Sequence, residues 1–283
     1  MDLGLNLPTA RADLKPADLA GLARRAEELG YRSVWIGEHV VLAESEASNY
    51  FAADAPMPDP LVLLAGLATV TSTIRLGTGV CLPAQRNPVY LAKEAGTLDW
   101  LSGGRLDLGI GIGWSAAELA ATGLPWRGRP SRLRDSVHVM RHLWHDRNAA
   151  ASWPTYELPE VRQHPRPIQA GGPPVWIGGN SDAALRRVAE YGDGWYGFAD
   201  VEGDDLGERI GFVRARAEEA GRDPSDVRIT LLTYRMIGAD EATMLDRLGV
   251  EQLVVSLPPD PVEELHRSLA DTLDRLRATE AVS

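Results

Sequence analysis

The chain alternates short apolar runs with longer amphipathic stretches, and this alternation occurs eight times in succession. Each run is apolar on both faces, as expected of parallel strands that are covered on both sides. Eight strand–helix units, in a length near the roughly 250 residues typical of the fold, predict a (β/α)8 TIM barrel. We expect a single domain over residues 1–283. The predicted strands are Leu3–Leu7, Ser33–His39, Arg75–Leu82, a strand within Leu101–Trp114, Val175–Gly179, a strand from Gly194, a strand from Arg228, and Gln252–Leu257.

One segment departs from this repeat. Residues 147–174 are rich in proline and show little periodicity, so they are expected to form a long insertion within the barrel domain. Long loops on a rigid scaffold are usually lids or substrate walls.

The composition limits the kinds of molecule that the protein is expected to bind. The 29 basic and 40 acidic residues give a net charge of −11, which argues against nucleic acid and against an anionic membrane surface. Cys81 is the one cysteine, so an intramolecular disulfide and a cysteine metal cluster are both excluded. No apolar run approaches the roughly 18 residues of a membrane span, and no basic leader follows Met1. We expect a cytoplasmic protein.

The stretch Leu101–Trp114, LSGGRLDLGIGIGW, is the most informative part of the sequence. Glycines at 109, 111 and 113 remove the side chains from one face of a strand and the loop after it. A flat ligand could therefore lie against bare backbone.

The other predicted strand ends contain few charges and several glycines or aromatic residues. In a barrel of this kind the chemistry lies at the carboxyl ends of the strands. This composition suits a planar, largely apolar ring better than a sugar or a metal-bound acid. The strand-end residues are Asn6, Glu38, His39, Thr78–Cys81, Gly111–Trp114, Gly178–Ser181, Trp195, Tyr196, Tyr234, Arg235 and Leu257.

The sequence Gly178-Gly179-Asn180-Ser181 suits a phosphate group. Two glycines permit a close approach of the backbone, and the helix that starts at Asn180 or Ser181 presents unpaired amides and the positive end of its dipole. The alternative is an ordinary helix cap, because Asn-Ser-Asp also serves that purpose.

Several segments together resemble the bacterial luciferase-like oxidoreductases over nearly the whole chain. They are LSGGRLDLGIGIGW with Glu118 behind it, the preceding AKEAGTLDW, and the following PPVWIGGNSDAALRRVAEYGDGW. The resemblance implies a barrel that binds FMN or the 5-deazaflavin coenzyme F420, with the ring at the strand ends and a hydride passed to or from a substrate. The phosphate at Gly178–Ser181 would then belong to the cofactor side chain. The chain is shorter than the light-producing members, and its GIGIGW form is similar to the branch described as F420-dependent.

The resemblance assigns roles to individual residues. His39 would exchange the proton that accompanies hydride transfer, with Glu38 tuning it; alternatively, His39 is a hydrogen-bonded residue that only shapes the pocket. The segment Thr78-Gly79-Val80 would carry a bulge with a non-prolyl cis peptide at Gly79–Val80, the alternative being an ordinary glycine bend. The cofactor-binding candidates are Asn6, Thr78, Gly79, Val80, Gly111, Ile112, Gly113, Gly178, Gly179, Asn180 and Ser181.

Aromatic residues at the strand ends are candidates for substrate contact. They are Trp114, Trp195, Tyr196 and Tyr234, although Trp114 could instead pack its own loop. Four arginines after the fourth strand either meet an anionic substrate or the acidic tail of F420, or form a solvated charge run; they are Arg127, Arg129, Arg132 and Arg134.

A metal site is not expected. Three histidines share a helical face, at 138, 142 and 145, but no carboxylate pattern of the HExxH kind accompanies them.

Three functions follow, in order of preference. The first is an F420-dependent oxidoreductase that acts on a small organic substrate. The second is an FMN-dependent monooxygenase, and the third is a flavin-binding relative that has lost turnover. A flavin or F420 reductase as redox supplier and a homodimer are the implied partners.

Overall fold

The computed structural model describes residues 1–44, 54–145, 149–200 and 206–277. Its strands are β1 (Asp2–Asn6), β2 (Ser33–Ile36), β3 (Arg75–Thr78), β4 (Leu106–Ile110), β5 (Ala151–Trp153), β6 (Tyr156–Leu158), β7 (Val175–Gly178), β8 (Gly194–Phe198), β9 (Arg228–Thr233) and β10 (Gln252–Ser256). Eight of them pair in the order β1-β10-β9-β8-β7-β4-β3-β2 and close into a parallel barrel, while β5 and β6 form a separate two-stranded sheet. The predicted (β/α)8 fold is confirmed.

Helices follow the barrel strands. In chain order they are α1 (Pro16–Leu29), α2 (Pro60–Ala68), α3 (Pro88–Ser102), α4 (Ala116–Ala121), α5 (Arg129–Trp144), α6 (Asp182–Tyr191), α7 (Leu206–Glu219), α8 (Ala239–Arg247) and α9 (Leu265–Arg277). Capping residues determine where several of these helices begin. Asp59 caps α2 by accepting hydrogen bonds from the N–H groups of Leu61 and Val62, and Asn87 caps α3 through the N–H of Val89.

The residues fall into two compact units. The first unit consists of residues 1–36, 73–75 and the described residues from 176 onward. Strand β1 lies between β10 and β2 there, with Leu5 opposite Val255 on one side and Val34 on the other. Buried aromatic rings pack tightly in this unit: the ring centroid of Trp35 lies 4.7 Å from that of Tyr196 and 6.0 Å from that of Trp176. The assignment of residues 1–283 to a single domain stays a prediction.

The second unit consists of the described residues of 37–72 and 76–175 and contains the insertion. Although the sequence of the insertion shows little periodicity, it contains the β5–β6 hairpin, in which Trp153 pairs with Tyr156. Two buried carboxylates anchor it. Asp99 on α3 accepts from the N–H of Ile168 at 2.8 Å, and Asp135 on α5 accepts from the N–H and hydroxyl of Thr155. The described part of the insertion is thus fastened to helices, and no contact supports a role as a lid.

Three strands end earlier than the apolar runs indicate. Strand β2 ends at Ile36, β3 at Thr78 and β4 at Ile110, so the residues after them are loop. Pairing resumes once, because the N–H of Cys81 donates to the carbonyl of Gly109 and the N–H of Gly111 donates to the carbonyl of Cys81, both at 2.8 Å. Apolar composition therefore continues beyond the regular strand geometry and into the loops that carry the candidate site.

Within the described ranges, no helix is both long enough and apolar enough to cross a bilayer.

Candidate functional site

The second unit contains a hydrogen-bonded pair of ionisable side chains that follows β2. The Nδ1 atom of His39 lies 3.1 Å from Oε2 of Glu118, and Oε1 of Glu118 accepts a hydrogen bond from the N–H of Val40 at 2.6 Å. The side chain of Glu118 is 1% exposed and that of His39 is 10% exposed. One carboxylate therefore holds both the imidazole and the backbone next to it.

Local sequence explains how Glu118 reaches this position. Ser115 caps the short helix α4 by accepting a hydrogen bond from the N–H of Glu118 at 2.8 Å. The cap places Glu118 in the first helical turn, where the helix dipole favours a carboxylate. The pattern Ser-Ala-Ala-Glu is that of a capping box, but here the glutamate side chain turns to His39 and Val40.

Glu38 has different partners from those predicted. Its buried carboxylate accepts from the N–H of Leu82 at 2.6 Å and from the guanidinium of Arg86, through both Nε and Nη2. Arg86 in turn contacts Asp59 and Glu94. We expected Glu38 to tune His39, but the carboxylate at Nδ1 of His39 belongs to Glu118. Glu38 instead connects the end of β2 to the loop that follows Gly79 and Val80.

The thiol of Cys81 lies beside this network. Burial, followed by the nearby charge of Glu38, raises the pKa of Cys81 well above its usual value. Cys81 is therefore a neutral thiol of the core.

The glycine-rich stretch approaches the segment after β3 closely. A Cβ atom at Gly111 would lie 2.6 Å from Cγ2 of Val80, so only glycine fits without a rearrangement. The Gly79–Val80 peptide is cis, which confirms the expectation drawn from the resemblance. Both residues are half-buried, as are Ile112 and Gly113. Thr78 differs, because its hydroxyl is buried and donates to the carbonyl of Gly109 at 2.6 Å.

Trp114 follows the glycines and lies against His39. Its ring centroid is 5.4 Å from that of the imidazole, with an interplanar angle of 75°, which is an edge-to-face contact. The residue is 55% exposed. An exposed indole next to a partly buried imidazole can offer an apolar surface to a small organic molecule.

The phosphate candidates lie in the first unit, between β7 and α6. Gly179 has φ +104°, its N–H donates to the carbonyl of Tyr196, and its carbonyl accepts from Nε1 of Trp195. The amide side chain of Asn180 pairs with the backbone of Phe198, with both distances 2.8 Å. Ser181 caps α6. These two side chains thus serve the fold, and phosphate binding here, by main-chain N–H groups, stays a prediction.

Two of the aromatic candidates are core residues. Trp195 and Tyr196 are completely buried, and burial raises the pKa of Tyr196 well above its usual value. A buried ring offers no surface to a substrate, so we correct the substrate-binding assignment of both residues. Tyr234 is 49% exposed and stacks on Phe198 with a centroid separation of 6.4 Å. Asn6, at the end of β1, donates to the hydroxyl of Ser256 at 3.0 Å.

The arginines after β4 bind the protein itself. Arg129 donates to the carbonyl of Gly113 at 2.6 Å, and Arg132 donates to the carbonyls of Pro125 and Arg127. Arg134 pairs with Asp135. These contacts give most of the charge run a structural role.

Two of the three histidines on α5 and at its end contact backbone carbonyls. His142 contacts the carbonyl of Ala149 and His145 that of Arg141, both at 2.8 Å. The described part of the chain contains no cluster of three or more potential ligands that could hold a metal ion.

Comparison with known proteins identifies the family. A family model described as luciferase-like monooxygenase matches residues 1–281. The chain belongs to this family. It is therefore a luciferase-like oxidoreductase, as the sequence resemblance indicated.

Individual relatives of this luciferase-like chain carry different activities in their names. An uncharacterized protein of Mycobacterium tuberculosis is 30% identical over 267 residues, covering 91% of this chain and 92% of its own. An F420-dependent glucose-6-phosphate dehydrogenase of Amycolatopsis mediterranei is 33% identical over 184 residues. The match covers 64% of this chain and 53% of the dehydrogenase. The solved structure of a monooxygenase from Streptomyces bottropensis is similar in fold, with a TM-score of 0.78, 22% identity, and coverage of 99% of this chain and 100% of its own.

The sequence did not predict three hydrogen bonds. They join Glu118 to His39, Arg86 to Glu38, and Arg129 to the carbonyl of Gly113. The capping-box pattern could have placed Glu118 at the start of a helix. No sequence signal connects it to His39, which lies 79 positions away.

Proposed function

We propose that the protein is a coenzyme F420-dependent oxidoreductase in which His39, oriented by Glu118, exchanges the proton that accompanies hydride transfer with a small organic substrate. The observation that carries this proposal is the His39–Glu118 hydrogen bond beside the exposed Trp114, in a chain of the luciferase-like family. When bound, the deazaflavin supplies a ring that accepts or donates a hydride and reacts poorly with oxygen.

The carboxylate of Glu118 determines which nitrogen of His39 can act as a base. An ionised carboxylate only accepts hydrogen bonds, so the Nδ1 atom of His39 that faces it carries the hydrogen. Nε2 is then the nitrogen with the lone pair. A carboxylate that accepts a hydrogen bond from one ring nitrogen commonly fixes the tautomer and orientation of a functional histidine. His39 is thereby suited to take up a proton at Nε2 and to return it.

The backbone around Val80 and Gly111 fits a flat ring system. Alternate residues of the stretch from Gly109 to Gly113 lack a side chain, which leaves bare backbone on one face beside the Gly79–Val80 segment, and a Cβ atom at Gly111 would meet Val80 at 2.6 Å. Ile112 and Gly113 are partly accessible. Because no ionisable side chain belongs to this stretch beyond β4, it suits an uncharged ring face.

Three observations support F420 over FMN. The GIGIGW form resembles the F420-dependent branch, and one relative at 33% identity is named an F420-dependent dehydrogenase. An acid–base histidine also serves hydride transfer to or from a carbonyl or alcohol carbon, which needs a proton. We further propose that the protein is a homodimer and that a flavin or F420 reductase supplies its reducing equivalents.

The test is a titration of the purified protein with F420 and, separately, with FMN, followed by ligand fluorescence. We expect micromolar binding of F420 and no saturable binding of FMN. Bound protein is then screened for reduction of F420 by small alcohols and for oxidation of reduced F420 by small carbonyl compounds. Tight binding of FMN with oxygen consumption in the presence of a flavin reductase would establish the monooxygenase function instead. Binding without turnover of any kind would favour a non-catalytic relative.

A further inference from the structure

Arg129, the first residue of α5, makes a concentrated set of contacts with the loop that leads out of β4. Its Nη1 donates to the carbonyl of Gly113 at 2.6 Å, and its Nε donates to the carbonyl of Trp126 at 3.2 Å. The guanidinium carbon lies 3.0 Å from the centroid of the Trp126 ring. The side chain thus joins the start of α5 to a single carbonyl group 16 positions earlier in the chain.

Arg129 does not stabilise the helix that it begins. A positive side chain in the first turn opposes the helix dipole, which favours acidic residues there. The N-cap is Gly128, with φ +81°, and it makes no side-chain capping bond. An arginine at this position therefore costs helix stability, which the contacts with the loop offset. A hydrogen bond from a guanidinium to a carbonyl is among the stronger kinds, because its donor is charged.

The carbonyl that Arg129 holds lies directly before Trp114. Gly113 has φ +75°, a conformation that glycine adopts without steric cost, and its carbonyl belongs to the Gly113–Trp114 peptide. That peptide sets the direction of the Trp114 side chain, whose ring meets His39 edge-on at 5.4 Å. The next residue, Ser115, starts the helix that carries Glu118.

We propose that Arg129 is a positioning residue, which fixes the Gly113–Trp114 peptide and so holds Trp114 against His39. Its effect on turnover rests on the proposed function. Its effect on Trp114 does not, because this contact exists in the protein without cofactor.

The test compares Arg129→Ala and Arg129→Lys with the control Arg216→Ala. Arg216 is a suitable match because it also lies near an aromatic ring, that of Phe212, and forms an exposed ion pair with Glu219. Hydrogen exchange is measured by mass spectrometry on the cofactor-free protein for a peptide spanning residues 111–118. We expect exchange to be about tenfold faster in Arg129→Ala, the order expected for loss of one hydrogen bond to a charged group, with partial recovery in Arg129→Lys.

A second readout reports Trp114 directly. A charged imidazole quenches a neighbouring indole, so the pH-dependent part of tryptophan emission that Trp114→Phe and His39→Ala both abolish measures their contact. We expect Arg129→Ala to lose this component, with Arg216→Ala unchanged, and F420-dependent turnover to fall more than F420 affinity. Unchanged exchange and unchanged emission in a folded Arg129→Ala protein would overturn the proposal. Absence of turnover with F420 in the wild type would contradict the proposed function alone.

Discussion

The imidazole of His39 and the carboxylate of Glu118 form a 3.1 Å hydrogen bond although they are 79 positions apart in the chain. Each residue lies in a loop or short helix that follows a barrel strand, where functional residues of this fold are concentrated. Because Glu118 also accepts a hydrogen bond from the N–H of Val40, its carboxylate holds both the imidazole of His39 and the backbone directly after it. The consequences of this arrangement, and of the packing around it, can be measured.

Replacement of the histidine is the first prediction. We expect His39→Ala to lower F420-dependent turnover by roughly 10² to 10⁴, the usual range for a lost acid or base, and to leave F420 affinity within a few-fold. Steady-state kinetics and fluorescence titration measure the two effects. His266→Ala, at an exposed position on α9, is the control and should change neither. Full turnover in His39→Ala would restrict His39 to a role in shaping the pocket.

Loss of the charge of Glu118 is the second prediction. Glu118→Gln keeps the size of the side chain but removes the carboxylate that selects the Nδ1–H tautomer of His39. We expect turnover to fall by about 10-fold to 100-fold, as is typical for a group that orients a functional histidine. Glu28→Gln, in an exposed pair on α1, is the matched control. If the double variant His39→Ala/Glu118→Gln is much slower than His39→Ala alone, Glu118 has a role independent of His39.

The third prediction concerns the close approach of Gly111 and Val80. We expect Gly111→Ala to destabilise the protein by about 1–3 kcal/mol, because the new Cβ would lie 2.6 Å from a stiff β-branched side chain. Gly66→Ala, in helix α2 with open space around its Cβ position, should instead stabilise it by about 0.5–1 kcal/mol. Urea denaturation measures both. An equal response of the two variants would contradict the packing described here.

The buried ion pair of Glu38 and Arg86 gives the fourth prediction. Arg86→Gln leaves the Glu38 carboxylate in the protein interior without its counter-ion, so we expect a loss of about 3–5 kcal/mol in the free energy of unfolding. Arg86→Gln/Glu38→Gln should recover part of that loss, because the side chain at position 38 then places no charge in the interior. Arg25→Gln, which breaks an exposed pair, should cost at most about 0.5 kcal/mol. A double variant as unstable as the sum of the singles would show that the two residues do not interact.

The reactivity of Cys81 is the fifth prediction. Because burial and the charge of Glu38 raise the thiol pKa, the reactive thiolate is scarce at neutral and mildly alkaline pH. We expect no reaction of the native protein with a thiol-specific disulfide reagent at pH 8 on the time scale in which the unfolded protein in guanidinium reacts fully. Rapid labelling of the native protein would mean that the region around Cys81 opens readily.

The barrel could be predicted from the sequence because burial on both faces leaves a direct pattern of apolar runs. The site was predicted less completely. Proximity in the chain suggested Glu38 as the partner of His39, whereas that partner comes from a helix after β4. Pairing between side chains on different loops depends on tertiary geometry. The hydrophobic periodicity of the sequence contains no information about that geometry.

Exposure of aromatic residues was equally hard to predict. The sequences around Trp195 and Trp114 both look like strand ends, yet one ring is buried and the other is 55% exposed. Trp195 lies on β8 and donates its indole N–H to the carbonyl of Gly179, so its polar atom is satisfied inside the protein. Trp114 lies beyond the end of β4. A shift of a few residues in the end of a strand decides between these outcomes.

The two aspartates that anchor the insertion have a consequence for the evolution of the family. Asp99 and Asp135 are buried and receive hydrogen bonds from Ile168, Gln169 and Thr155 in the insertion, and Asp135 also receives them from Arg134. Excision of the segment would leave the buried carboxylate of Asp99 without these donors, at a cost of several kcal/mol, whereas Asp135 would keep its ion pair with Arg134. Relatives with a shorter connection between β4 and β7 should therefore have exchanged Asp99 for an apolar or small residue.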